Sequence, residues 1–165
     1  MAISDWSARR WLLVALVLLT AVGLLWATGS GQVLLVERSD TGERIVETPV
    51  SDGSLVALEY MHSVEKTRVY DEYTVNGTIL ENTRMEFESY GWGLPAGANV
   101  TLENGTFVFD PDRSYEQIRV KPGTVANHTL IVDGTRYDLV ERSDANSVII
   151  RVSSDTPFTR LLAGR

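Results

Sequence analysis

The chain has 165 residues, enough for one ordinary domain and an appendage, and its 44% apolar and 22% charged content is that of a globular protein. Fifteen Lys and Arg against 22 Asp and Glu leave a net charge of −7, which argues against a nucleic acid as partner. The absence of cysteine excludes disulfide scaffolds, thiol catalysis and cysteine-ligated metals, and two histidines, His62 and His128, are too few for a histidine-rich metal centre.

The first element is an uncharged apolar run over residues 11–28. As a helix it would rise about 27 Å, close to the hydrocarbon thickness of a bilayer. Arg9 and Arg10 precede it and no charge follows until Glu37. The positive-inside rule therefore predicts a single-pass anchor, with residues 1–10 cytoplasmic and residues 31–165 outside. Trp6, Trp11 and Trp26 fall near the two interfaces, where indole rings prefer to lie. A cleaved signal sequence is the competing reading, but its apolar run is usually about 7–15 residues and ends in a small-x-small site. A buried core helix is a third. Both leading readings put the following domain outside the cytoplasm.

Residues 31–165 carry 21 acids and 13 bases, a net −8, and the whole chain has two lysines against thirteen arginines. An acidic, lysine-poor surface is expected of a protein in very high salt, where the Debye length falls to about 3 Å and carboxylates repel one another little. A GC-rich genome would also favour arginine codons.

From residue 32 the apolar pattern takes period two. Strands are predicted over 32–37, 44–48, 54–61, 68–75, 78–89, 100–103, 106–109, 117–120, 128–132, 135–140 and 147–153. Asn-Gly and Asp-Gly pairs between them accept the positive φ that two-residue hairpins need. A loop at Asn104-Gly105 sets Leu102 against Phe107 and Val100 against Phe109, and one at Asp133-Gly134 puts Val132 and Leu130 on one face with Thr135, Tyr137 and Leu139. Both registers gather apolar residues on one face. The expected architecture is all-β, an antiparallel sandwich or partly closed barrel behind one transmembrane helix.

Residues 55–95 hold the densest mix of features. Val56, Leu58, Tyr60 and His62 alternate onto one strand face, so His62 ends an apolar ladder where the chain turns through Ser63-Val64-Glu65-Lys66. A loop at Asn76-Gly77 would set Glu72 against Glu81, a repulsive pair unless a cation, an arginine or salt intervenes. Glu86 lies further on, and Gly91-Trp92-Gly93-Leu94-Pro95 permits a sharp exit. Four readings stand together. The first is a structural polar cluster, in which His62 and Glu65 tie the turn and pair with Arg68 or Arg84. The second is a ligand- or partner-binding edge. The third is an oxygen-rich cation site using Glu65, Glu72 and Glu81 or Glu86, though without calcium-loop spacing. The last, a His62–Ser63 catalytic pair, is disfavoured because adjacent strand residues point to opposite faces. No cofactor motif appears.

Four of six asparagines, Asn76, Asn99, Asn104 and Asn127, stand in Asn-x-Ser/Thr sequons, where the 28 Ser and Thr predict about one by chance. They are candidate N-glycosylation sites of an outward-facing domain.

His62-Ser63-Val64-Glu65-Lys66, the acid at Glu72 followed by Tyr73 and Val75, Glu86, and Gly91-Trp92-Gly93-Leu94-Pro95 with Gly97-Ala98 together resemble the signature of the domain-of-unknown-function 1850 family. The resemblance covers about residues 31–125. It departs at Thr67-Arg68, where a proline often follows the lysine, and it does not extend to the tail after Lys121. With the acidic surface it suggests a haloarchaeal member. It implies a non-enzymatic accessory to a tripartite ATP-independent periplasmic (TRAP) transporter of the TAXI type, with the membrane and the permease or solute-receptor subunits as partners. A stand-alone cell-surface ligand or cation binder is the alternative. The family carries no assigned binding residues, so His62, Glu65, Glu72 and Glu86 enter only as matching positions.

Overall fold

A computed structural model describes residues 31–89 and 99–154. The predicted cytoplasmic segment (1–10), the anchor (11–28) and the turn containing Gly91 and Gly93 lie outside the described residues. Among the described residues no helix is long and apolar enough to cross a membrane.

The smaller of two sheets takes β1 (Gln32–Arg38), β2 (Arg44–Val50), β9 (Ile118–Val120) and β12 (Val148–Ser153) in the order β2-β1-β12-β9. The larger takes β3 (Leu55–Met61), β4 (Arg68–Asn76), β5 (Ile79–Phe87), β6 (Thr101–Glu103), β7 (Thr106–Phe109), β10 (Thr129–Val132) and β11 (Thr135–Asp138). Its order is β11-β10-β3-β4-β5-β7-β6, with β8 (Arg113–Tyr115) also on β5. Neighbouring strands run antiparallel throughout, as a chain of short hairpins dictates.

Period-two alternation supplies the core. Leu34, Val36, Ile150 and Val152 of the smaller sheet and Val56, Leu58, Tyr73, Val75 and Leu130 of the larger belong to one buried cluster. Each fully buried aliphatic side chain contributes about 1.5–3 kcal/mol, so this shared layer is what joins the sheets. The domain is thus all-β, two antiparallel sheets sharing one buried core.

Two hairpins form in the predicted register. Asn104 and Gly105 both take positive φ (50° and 89°), as do Asp133 and Gly134 (45° and 84°), the requirement of a type I′ turn. Leu102 pairs with Phe107, Val132 with Thr135, and Leu130 with Tyr137. The Asp133 carboxylate also accepts the Leu55 N–H at 2.9 Å, which pins this turn to the start of β3.

The β4–β5 hairpin departs from expectation. Its loop is Gly77-Thr78, with Asn76 paired to Ile79, so the loop moves by one residue, the pairing shifts by two and Glu81 faces Thr74 instead of Glu72. Gly77 alone takes positive φ (59°), which suits glycine at the first loop position. Further on, Tyr73 pairs with Asn82 but Glu72 pairs with Arg84, leaving Thr83 as a bulge. The bulge has a cause in the sequence. Leu80 and Phe87 are both fully buried yet seven residues apart, an odd interval that an uninterrupted strand would send to opposite faces. As a result Glu72 stands opposite an arginine, and the repulsive Glu72–Glu81 pair does not form.

The predicted strand over 135–140 stops at Asp138, whose carboxylate accepts the Glu141 N–H at 3.0 Å and caps a short helix, α1 (Leu139–Ser143). Asp138-Leu139-Val140-Glu141 is a helix-start pattern embedded in a strand-like run. Leu139 joins the core through this helix. The short strand β8 was not predicted, since Arg-Ser-Tyr gives no alternation to read; Tyr115 packs edge-on to Tyr73 at 6.1 Å.

Candidate functional site

The turn between β3 and β4 closes on itself. The His62 N–H donates to the Thr67 carbonyl at 2.8 Å, the Lys66 N–H to the His62 carbonyl at 2.9 Å, and the Glu65 N–H to His62 Nδ1 at 3.2 Å. Lys66 takes a φ of 57° to complete the reversal. The His62 imidazole therefore accepts a backbone hydrogen bond within its own turn, while Arg68 and Arg84 pair with Glu59, Glu86 and Glu103 rather than with the turn's Glu65. Ser63 and Glu65 are exposed on it. Thr67 and Ser89 hydroxyls meet at 2.9 Å and fasten the turn to the end of β5.

The register then builds a feature that no single segment of sequence reveals. On the outer face of the larger sheet, six charged side chains of alternating sign link in series: Arg136, Glu59, Arg68, Glu86, Arg84 and Glu103. Arg136 binds Glu59 Oε1; Arg68 Nε donates to Glu59 Oε2 at 3.0 Å and its Nη1 to Glu86 Oε2 at 3.1 Å. Arg84 Nε donates to Glu86 Oε1 at 2.8 Å and its Nη2 to Glu103 at 3.0 Å. The row crosses β11, β3, β4 and β5 and ends on β6. Planar guanidinium forks are suited to bridging two carboxylates, which an ammonium does poorly.

The electrostatics follow from the pairing. Hydrogen bonds from Arg136, and behind them Arg68, outweigh burial and hold the Glu59 carboxyl below the usual range. Arg84, then Arg68, do the same for Glu86. On the smaller sheet burial opposes ionisation of Glu37, but Arg151 and Arg44 prevail and lower it.

Of the acids singled out in the sequence, Glu86 thus sits in the row, held by both arginines considered as partners for the turn. Glu72 lies beside it on the same face and accepts the Tyr70 hydroxyl at 3.2 Å. Glu81 accepts the Asn76 amide at 2.8 Å. Glu65, Glu72 and Glu81 are not drawn together, and among the described residues no group of three or more His, Asp or Glu side chains is arranged to hold a metal ion. Gly91 and Gly93 lie outside the described residues.

The inner face carries a second group that the sequence reading missed. Asp71 alternates with Val69, Tyr73 and Val75 onto the core side of β4, directly across from Leu58. Burial pushes its carboxyl up to about 6, against a hydrogen bond from Tyr60 that stabilises the ionised form. The Tyr60 ring stacks on His128 with centroids 5.1 Å apart, and burial lowers the His128 imidazole. The Gly123 N–H donates to His128 Nδ1 at 3.4 Å.

Beside the Arg136 end of the charged row, where the chain enters β10, lies an open cleft of about 260 Å³. Glu59, Arg68 and Arg136 line it together with apolar residues Tyr60, Met61 and Ala126. All four sequon asparagines, Asn76, Asn99, Asn104 and Asn127, are exposed.

These features define a two-sheet antiparallel β-domain built around a self-closed His-Ser-Val-Glu-Lys turn and a row of paired charges. The sequence model of a family described as Domain of unknown function (DUF1850) matches residues 56–139, from the middle of β3 to the start of α1. The chain belongs to that family. The match begins later and runs further than residues 31–125, taking in β10 and β11 and with them Arg136. No curated protein and no solved structure matches the chain.

Proposed function

We propose that the protein is a membrane-anchored, extracytoplasmic, non-enzymatic accessory of a TAXI-type TRAP solute transporter in a haloarchaeal, high-salt habitat. The observation that carries this reading is the use made of the family signature. His62 Nδ1 accepts the Glu65 N–H of its own turn and Glu86 is held by two guanidiniums. Residues so engaged build a rigid presenting surface, as a docking module requires. The apolar segment 11–28, with Arg9 and Arg10 before it and no charge until Glu37, supports the anchor and its sidedness. The net −8 on residues 31–165 supports the high-salt setting.

Affinity purification of the tagged full chain from native membranes, kept in high salt, tests the reading. It predicts that permease or solute-receptor subunits are retained. A monodisperse preparation of this chain alone, repeated after cross-linking of intact membranes, would count against it. The alternative, a stand-alone surface ligand binder, is favoured by one observation, the cleft beside Arg136.

A further inference from the structure

The charged row is neutral in sum but asymmetric in use. Its inner members each serve two partners, whereas Arg136, at the cleft end, serves only Glu59 among the described residues. That contact engages Arg136 Nη2 and leaves Nε and Nη1 without a partner among the described residues. Arg68 spends Nε and Nη1 on Glu59 and Glu86, leaving Nη2. Glu59 has each of its oxygens bound by a guanidinium, so its charge is already answered. Glu59, Arg68 and Arg136 sum to +1 at the wall of a cleft, on a domain whose net charge is −8. Neutral polar groups, Asn127 and Thr129, line the same cleft.

We propose that this cleft binds a small organic acid, its carboxylate received by the unused donors of Arg136 and Arg68 and its apolar body lying against Met61 and Ala126. Guanidinium and carboxylate match as planar partners, and the lining holds two guanidiniums, Arg68 and Arg136. A volume of about 260 Å³ falls just below the about 300–1,000 Å³ typical of ligand sites, so the ligand is a compact acid, smaller than a nucleotide. Aliphatic lining favours an acid with an apolar body over inorganic phosphate. Arg136 is 54% exposed, accessible to an entering ligand and dispensable for the core. The inference does not depend on a transporter: binding would be seen whether or not other subunits copurify.

Isothermal titration of the full chain in detergent, at one fixed salt concentration, uses benzoate as probe. Benzamide, of the same shape without charge, and inorganic phosphate, an anion without an apolar body, are the comparisons. Saturable benzoate binding is expected, at least about tenfold tighter than either, as loss of one charge-assisted contact implies. Arg136→Gln is expected to weaken benzoate at least about tenfold, and Arg151→Gln, on the other sheet, to leave it unchanged. Circular dichroism confirms that both variants are folded. Absence of saturable heat, equal binding of benzoate and benzamide, equal binding of phosphate, or an unaffected Arg136→Gln variant would each overturn the proposal.

Discussion

Asp71 stands directly across the larger sheet from Leu58, a carboxylate in a core-facing row. Its folded pKa, about 6, lies above the 3.8 of an open chain, so the folded state binds the proton more tightly. The stabilising contribution is complete below the unfolded value and is lost as pH rises through about 6. Two units correspond to about 3 kcal/mol forgone at neutral pH. Asp71→Asn keeps the shape and an acceptor for Tyr60 but removes the charge. It is expected to be more stable than wild type by about 1–3 kcal/mol at pH 8 and equal to it near pH 4. Thermal melts at the two pH values check this; a variant destabilised equally at both would show that the carboxylate is held by something other than its burial.

Thr83 is the residue that brings Leu80 and Phe87, both fully buried, to the same face of β5. Without it Phe87 would turn outward and Glu86 inward, replacing a buried aromatic by a charge. Deletion of Thr83 is expected to cost at least about 4 kcal/mol or abolish folding, whereas Thr83→Ala, at an exposed position, stays within about 0.5 kcal/mol of wild type. Denaturation of the three proteins separates the bulge from the side chain.

The bulge also marks where sequence reading stops. Period-two runs located eleven strands, because each needs only its own alternation, and two type I′ hairpins, because Asn-Gly and Asp-Gly supply both positive φ values. Glu72 was misplaced against Glu81 because Asn76-Gly77 resembles those turns, yet glycine takes the first loop position. The odd interval between Leu80 and Phe87 could have exposed the bulge, and Asp138 with Glu141 could have exposed α1. Arg136, Glu59 and Glu103 were not legible at all. Their strands are separated in sequence, and only the sheet order β11-β10-β3-β4-β5-β7-β6 brings them into one row. His62 was legible as a turn residue, since its strand ended there.

Arg68 links Glu59 to Glu86 and lies 4.8 Å from the centre of the Tyr70 ring. Because the row is part-exposed, each link is worth only about 0.5–1 kcal/mol. Arg68→Lys is expected to lose about 1 kcal/mol, since a point charge cannot bridge both acids. A double-mutant cycle of Arg68→Lys with Glu86→Gln should show coupling that shrinks as salt is raised. Coupling unchanged between low and high salt would contradict this account of the row.

The sequons differ in what their amides are doing. Asn76 donates its side-chain N–H to Glu81, whereas Asn104 sits at the tip of an exposed type I′ turn. Glycopeptide mass spectrometry of the native protein is expected to find Asn104 occupied more fully than Asn76. Occupied Asn76 beside bare Asn104 would contradict the ranking.

The proposed anchor at residues 11–28 would display a pleated acidic domain on the outer side of a membrane. Protease added to intact cells carrying a C-terminal and, separately, an N-terminal epitope tag tests it most directly. Loss of the C-terminal epitope with the N-terminal one protected until the cells are lysed is the predicted result. A C-terminal epitope protected in intact cells and digested only after lysis would contradict it.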